Sequence, residues 1–255
     1  MKDKLESIKE VVIRCGKLVL GADHDNLGEE YKEGNNNVVT KYDKEVENIL
    51  REELLKIVPG AYFLGEESNN LYKENKYIFI VDPIDGTVNF SRSLNVSAIS
   101  VALLEDGEVV IGVCYNPYTN ELYEAVKGNG AYLNGKRIHV SDKKLSEGLV
   151  FSGSAPYYDE LRNKSLDTLR KFAVVASDFR RCGSAVIEIC AIASGKAEVY
   201  FELKLMPWDY AAASLILTEA GGVITTIEGE KLGYDKPTSI IAHNNQEDYL
   251  KYIEE

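Results

Sequence analysis

The 255-residue sequence predicts a mixed α/β fold arranged as one compact unit, and three observations predict it. Two long apolar patterns of helical period open the chain. A series of short β-type runs follows, punctuated by turn residues. Beyond about residue 150, helical and strand patterns alternate, as they do where helices and sheets stack in layers. Hydrophobic residues make up 45% of the chain, enough for a substantial core and too many for a disordered polypeptide.

Residues 3–20 place Leu5, Ile8, Val12, Cys15 and Val19 at spacings of three and four, an amphipathic helix ended by Gly21. The polar stretch 22–37, rich in Gly and Asn, reads as a loop. A second helix is expected from Lys41 to Ile57, with Val46, Leu50, Leu54 and Ile57 on one face and Pro59-Gly60 as its stop. Strands are expected at Tyr62–Leu64, Tyr77–Val81, Val96–Leu104, Val109–Tyr115 and Glu121–Val126, with a hairpin at Asp106-Gly107. Gly128, Gly130 and Gly135 divide further short strands. The second part reads as a helix near 158–171, a strand near 172–180 and a helix from Ser184 to Ser194. A strand near 198–201, a helix from Pro207 to Ala220, strands after Gly222 and at 239–242, and a closing helix complete it. No low-complexity linker or internal repeat intervenes, so residues 1–255 are expected to form one domain with halves of about 1–145 and 146–255.

Basic residues number 29 against 41 acidic ones, a formal net charge of −12. That balance repels nucleic acid and anionic lipid, and no basic patch offsets it, so neither is an expected partner. It also means that an anionic substrate needs help, which bound divalent cations would supply. Cys15, Cys114, Cys182 and Cys190 form no C-x-x-C pair, and with three histidines there is no zinc framework. They read as reduced, small apolar residues. The N-terminus is charged without an apolar segment, and no run approaches the ~20 apolar residues of a membrane span. A cytoplasmic protein is expected.

The chemistry concentrates in Ile80-Val81-Asp82-Pro83-Ile84-Asp85-Gly86-Thr87. Asp82 ends an apolar strand, so its side chain emerges at a sheet edge. Pro83 biases Asp82 towards an extended conformation, the turn brings Asp85 back towards it, and Gly86 permits close approach of a ligand. Thr87 could cap a following helix whose free N–H groups would suit a phosphate. An Asx-type turn accounts for D-P-x-D equally well when it is taken alone. Glu66-Glu67 after a short strand and Asp209 at a helix start also have plain readings, a solvated pair and a helix-dipole acid. Together, however, Glu66, Asp82, Asp85 and Asp209 could converge on one cleft. Oxygen ligands without Cys or His suit Mg²⁺ or Mn²⁺, and such ions would invert the local charge for an anionic substrate.

Asp82-Pro-Ile-Asp-Gly-Thr-Val-Asn-Phe90 resembles the first signature of the inositol monophosphatases, and Pro207-Trp-Asp-Tyr-Ala-Ala-Ala-Ser-Leu-Ile-Leu-Thr-Glu-Ala-Gly-Gly222 the second. Val38–Asp43, Gly128–Gly135 and Arg181–Ala185 also look like that family, so the resemblance covers about residues 5 to 245. It implies an α-β-α-β-α layered sandwich, usually a homodimer, that hydrolyses a small phosphate monoester such as inositol 1-phosphate. By resemblance, Glu66, Asp82 and the carbonyl of Ile84 would hold one Mg²⁺, and Asp82, Asp85 and Asp209 a second. Glu66 would assist a weaker third, and Mn²⁺ could substitute. Thr87 with Asp43 would orient and deprotonate the attacking water. Backbone N–H groups of Gly86 and Thr87 would hold phosphate oxygens. Gly183, Ser184, Ala185 and Glu202 would receive the leaving alcohol, and Lys32 would close over the metals. Ala213 (usually Gly), Leu94-Asn95 and Asn37 depart from the pattern without removing a ligand.

Within the wider superfamily, a fructose-1,6-bisphosphatase, alone or as a dual activity, is the nearest alternative; its signatures often carry Ser at the position of Thr87. Val88-Asn89 count against a bisphosphate nucleotidase, whereas histidinol phosphate differs only at the rim. A non-catalytic binding or regulatory protein on the same fold is the alternative of another class. A Ca²⁺-binding structural protein would not need the Asp43–Thr87 pair.

Overall fold

In the computed structural model, which describes residues 1–31, 38–68, 71–156 and 158–253, both opening helices form where their apolar spacing places them. Helix α1 (Lys2–Leu20) buries Leu5, Ile8, Val12, Cys15 and Val19 on one face. A short antiparallel ribbon, β1 (Glu30–Tyr31) with β2 (Val38–Val39), lies in and just beyond the stretch expected as loop. Helix α2 (Lys41–Ile57) starts with a capping box in which Asp43 Oδ2 accepts the Thr40 N–H at 2.8 Å.

Seven strands then build one sheet in sequential order: β3 (Tyr62–Gly65), β4 (Tyr77–Asp85), β5 (Ala98–Glu105), β6 (Glu108–Asn116), β7 (Glu121–Val126), β8 (Ala131–Leu133) and β9 (Lys136–Ile138). Only β3 and β4 pair in parallel, and a short helix α3 (Thr87–Ser91) follows β4. The second half comprises β10 (Leu149–Ser152), α4 (Asp159–Ala173), β11 (Asp178–Arg180), α5 (Ala185–Ala193), β12 (Val199–Leu205), α6 (Pro207–Glu219), β13 (Val223–Thr225) and β14 (Thr238–His243). Its sheet has the order β11-β10-β12-β14-β13, parallel across the first three strands and antiparallel at β14.

These elements stack as α-β-α-β-α. Helices α1 and α2 cover one face of the large sheet, α5 and α6 fill the space between the sheets, and α4 covers the outer face of the small one. Strand β5 shows the two-residue period that makes this possible: Ile99, Val101 and Leu103 join the α1/α2 cluster, while Ala98, Ala102 and Leu104 join the central one. Small residues bring α6 close to the sheet, since a Cβ on Gly112 would lie 2.5 Å from the Ala212 carbonyl. Ala213 is fully buried there. At the end of α6, Glu219 accepts the N–H groups of Gly128 and Gly130, each at 2.6 Å, and ties the glycine turn to the central layer.

Beyond the β1–β2 ribbon, the structure departs from expectation at three places. Strand β10 was not anticipated. The strand expected over 172–180 is reduced to Asp178–Arg180, because Phe172 and Ala173 continue α4 and the Phe172 ring stacks on Phe201 with centroids 5.2 Å apart. Where a closing helix is expected, the described residues form a single 3₁₀ turn, Leu250–Tyr252. Local side chains take backbone donors before it and at its start: His243 Nδ1 accepts from Asn245 N–H and Asp248 Oδ1 from Leu250 N–H.

Candidate active site

Strand β4 carries its apolar run Ile78–Val81 into the sheet, pairs in register as far as Asp82 with Ser100, and resumes at Asp85 with Ala98. The chain thus inserts one extra residue between the two acids, a bulge that suits Pro83 because it has no N–H to offer the ladder. Asp82 Oδ1 accepts the Ile84 N–H at 3.0 Å, so the Asx turn exists alongside the carboxylate cluster. Asp85 Oδ2 accepts from the Val186 N–H at 2.8 Å and from Ser184 Oγ. Asp209 stands in the first turn of α6, where its Oδ2 accepts the Met206 N–H at 2.7 Å.

One carboxylate oxygen each from Asp82, Asp85 and Asp209 lies within 4.8 Å of the others. That spacing and an all-oxygen donor set fit a hard divalent cation. Glu66 lines the same cleft. Burial pushes Asp85 up to about 7 and raises Asp82 and Asp209 well above the ordinary carboxylate range, and the other acids add to each shift. Cations would relieve both penalties.

Glu66 is presented by a turn whose anchor escaped the sequence reading. Glu47, buried on α2, accepts the Glu67 N–H at 2.7 Å and the hydroxyl of Ser68. A Cβ on Gly65 would sit 2.3 Å from the Glu47 carboxylate, which explains glycine at that position. The available signal was an acid one helical turn after Asp43, beside Val46 on the apolar face.

Asp43 is fully buried and pushed up to about 6, chiefly by burial, with Thr40 opposing and Glu66 reinforcing the shift. Thr87 Oγ1 lies 3.1 Å from Asp43 Oδ1 and 3.1 Å from the Ile84 carbonyl, so its one hydroxyl proton chooses between two acceptors. Gly86, not Thr87, occupies the N-cap of α3, at φ +88°; Thr87 is the first helical residue. A Cβ on Gly86 would meet the carbonyls of Val96 at 3.0 Å and Gly183 at 3.1 Å.

Glu66, Asp82, Asp85, Gly86, Thr87 and Asp209 line a cleft of about 1400 Å³ that Gly183, Ser184, Ala185 and Glu202 also line. Glu202 is buried: it accepts from the Ala155 N–H at 3.0 Å and the Tyr200 hydroxyl at 2.8 Å. Burial raises its pKa. Gly153 is packed against it, since a Cβ there would fall 1.9 Å from the carboxyl carbon. Glu188, not singled out in the sequence, also lines the cleft, as does Asn89, which the sequence marked only as counting against a bisphosphate nucleotidase. Lys32 and Asn37 lie outside the described residues.

A family model described as the inositol monophosphatase family matches residues 1–255. An inositol-1-monophosphatase of Bacillus subtilis is 33% identical over 94% of this chain and 91% of that protein. The Nus factor SuhB of Vibrio cholerae is 36% identical over 78% of this chain and 75% of its own. Among solved structures, the extragenic suppressor protein SuhB from Bartonella henselae superposes with a TM-score of 0.92 at 31% identity, covering 98% of both chains. A Thermotoga maritima IMPase superposes at 0.88 with 30% identity, over 99% of this chain and 97% of that one. No helix among the described residues is long and apolar enough to cross a membrane.

Proposed function

The chain belongs to the inositol monophosphatase family and is a phosphoric monoester hydrolase, and from that premise we propose that it hydrolyses a small polyol phosphate, inositol 1-phosphate foremost, with Mg²⁺. The observation that carries this reading is the cluster Asp82, Asp85 and Asp209, with oxygens within 4.8 Å, opening on a cleft that contains a buried glutamate. Glu66, Asp82, the Ile84 carbonyl, Asp85 and Asp209 would hold two to three Mg²⁺, with Mn²⁺ as a substitute. Bound there, the metal would supply Lewis acidity and a water of lowered pKa.

The chain's own groups do the remainder. Asp43, whose pKa of about 6 places it near the operating range of a general base, takes the proton of the attacking water through the Thr87 hydroxyl. The N–H groups of Gly86 and Thr87 hold phosphate oxygens, at a position where glycine lets the backbone come close. Gly183, Ser184 and Ala185 border the leaving alcohol. Glu202, with its two oxygens already fixed by Ala155 and Tyr200, accepts a ring hydroxyl. The cytoplasm and a homodimer are the proposed setting.

Phosphate release should be measured from inositol 1-phosphate, fructose 1,6-bisphosphate, histidinol phosphate and β-glycerophosphate, each with Mg²⁺ and with EDTA. Mg²⁺-dependent release led by inositol 1-phosphate is expected. A preference for fructose 1,6-bisphosphate would select the bisphosphatase or dual-activity alternative. Relatives named Nus factor SuhB favour a second reading, a regulatory binding role on the same fold. Absence of release from any ester by folded, metal-loaded protein would select it.

A further inference from the structure

The turn from Arg181 to Ser184 serves the proposed chemistry twice. Gly183 walls the cleft, and Ser184 Oγ, with the Val186 N–H just beyond it, holds Asp85. The turn needs Gly183 at φ +80°, a conformation with little intrinsic preference to preserve it. What fixes it is the residue before, Cys182, whose two backbone polar groups are gripped from opposite sides. Its N–H donates to Glu188 Oε1, and its carbonyl accepts from Asn89 Nδ2 at 2.7 Å. The same Asn89 amide donates to the Val96 carbonyl at 2.8 Å.

Both gripping side chains are buried, and they come from opposite halves of the chain. Asn89 lies two residues after Thr87 on α3. Glu188 lies one helical turn after Ser184 on α5, among Ala185, Val186, Ile189 and Ile192, which are all buried. A carboxyl group in so apolar a helix carries a desolvation cost that a merely structural position would avoid with an apolar residue. The grip also sets a tight seam. A Cβ on Gly183 would lie 3.2 Å from Asn89 Nδ2, and one on Gly86 would lie 3.1 Å from the Gly183 carbonyl.

We propose that Asn89 and Glu188 are positioning residues for the metal centre: by clamping Cys182 they keep Ser184 and Val186 on Asp85, and so keep Asp85 in register with Asp82 and Asp209. Neither residue would touch a cation. Their effect passes through two hydrogen bonds to the backbone and two more to the ligand, and groups that orient metal ligands typically change affinity about 10- to 100-fold when removed. The proposal rests on the metal reading above.

The test is calorimetric titration of metal-free protein with Mg²⁺ alone, no substrate present, for wild type, Glu188→Ala, Glu188→Gln, Asn89→Ala and the double alanine variant. Thermal unfolding of each serves as the folding control. Alanine at either position should weaken Mg²⁺ binding about tenfold or more. Glu188→Gln should stay within about threefold of wild type, because its amide oxygen can accept the same Cys182 N–H. The double variant should bind little worse than the weaker single one, since both side chains act on one turn. Cooperatively folded alanine variants that bind Mg²⁺ like wild type would overturn the proposal. So would a glutamine variant as weak as alanine, which would assign the effect to charge. Should Asn89→Ala fail to fold, the Ala/Gln pair at Glu188 decides. Wild type that binds no Mg²⁺ would defeat the metal reading itself, an outcome distinct from equal binding by wild type and variants.

Discussion

The two ends of the cleft are built in different ways. At the metal end, Asp82, Asp85, Gly86 and Thr87 come from six consecutive residues arranged by one bulge at the end of β4, and Asp209 joins them from the start of α6. At the leaving-group end, Gly153, Ala155 and Glu202 come from well-separated segments that the small sheet brings together, while Gly183–Ala185 lie between the two ends, with Ser184 on Asp85. Local backbone geometry therefore sets the core of the site where charge is neutralised, with Asp209 added by packing, whereas long-range packing alone governs which alcohol fits. A substitution at the first end should change the rate on every ester. One at the second should change the order in which esters are preferred.

Asp85→Asn sets the first half of that comparison and carries the largest expected effect. An asparagine oxygen can still accept from Ser184 and Val186, so the fold should survive, but a negative charge leaves the proposed metal site. We expect turnover to fall roughly a thousandfold on all substrates alike, about 4 kcal/mol of barrier. Near-normal rates from a well-folded variant at saturating Mg²⁺ would remove Asp85 from the site, and losses confined to one ester would erase the distinction between the two ends.

Gly153→Ala probes the other end. Its Cβ would occupy space now held by the Glu202 carboxylate, where overlap at 1.9 Å leaves displacement of that side chain as the outcome. KM for a polyol phosphate should rise about tenfold, with a much smaller change in kcat on p-nitrophenyl phosphate, which has no hydroxyls to read. Glu202→Gln keeps an acceptor in place and should do less, reordering polyol esters by about threefold to tenfold. Equal effects of either variant on the polyol and the nitrophenyl ester would mean that Glu202 supports the metal end instead.

The same division decides what was legible in the sequence. Helices α1 and α2 were legible because Leu5, Ile8, Val12 and Val46, Leu50, Leu54 repeat at helical spacing. The acids of the metal end were legible because proline, glycine and two aspartates stand within one turn. Strand β10 was not, since Leu149–Ser152 is four residues long and shows no alternation that separates it from loop. Strand β11 was misjudged for the opposite reason: all three of its residues are exposed, so hydrophobicity marks neither its start nor its end. The burial of Glu202 and the anchor of Glu66 at Glu47 join residues distant in sequence, and the clamp of Glu188 on Cys182 crosses from α5 to the turn six residues before it. A linear reading records none of those contacts directly, and only for Glu47 does it hold a signal, an acid one helical turn after Asp43 on the apolar face.

The smallest expected effect concerns stability, and its sign follows from the raised carboxyl groups. Asp43 is pushed up to about 6, Asp85 to about 7 and Glu188 to about 8, each chiefly by burial. In the unfolded chain these groups would release their protons near pH 4. Between about pH 4 and 8 the native metal-free protein therefore binds more protons than the unfolded chain, so its stability falls as pH rises. The stabilisation is complete below the unfolded values and is lost as each folded value is passed. Mg²⁺ should favour the ionised form of Asp85 but act less on Glu188, whose shift comes chiefly from burial and only in smaller part from Glu202 and Asp85. Thermal unfolding of EDTA-treated protein should thus show Tm declining by several degrees from pH 5 to pH 8, and saturating Mg²⁺ should flatten most but not all of that decline. A metal-free Tm that rises across this range would mean that the acids of the cleft are already compensated by the fold. The two ends would then differ in sequence spacing alone, with no difference in their need for a cation.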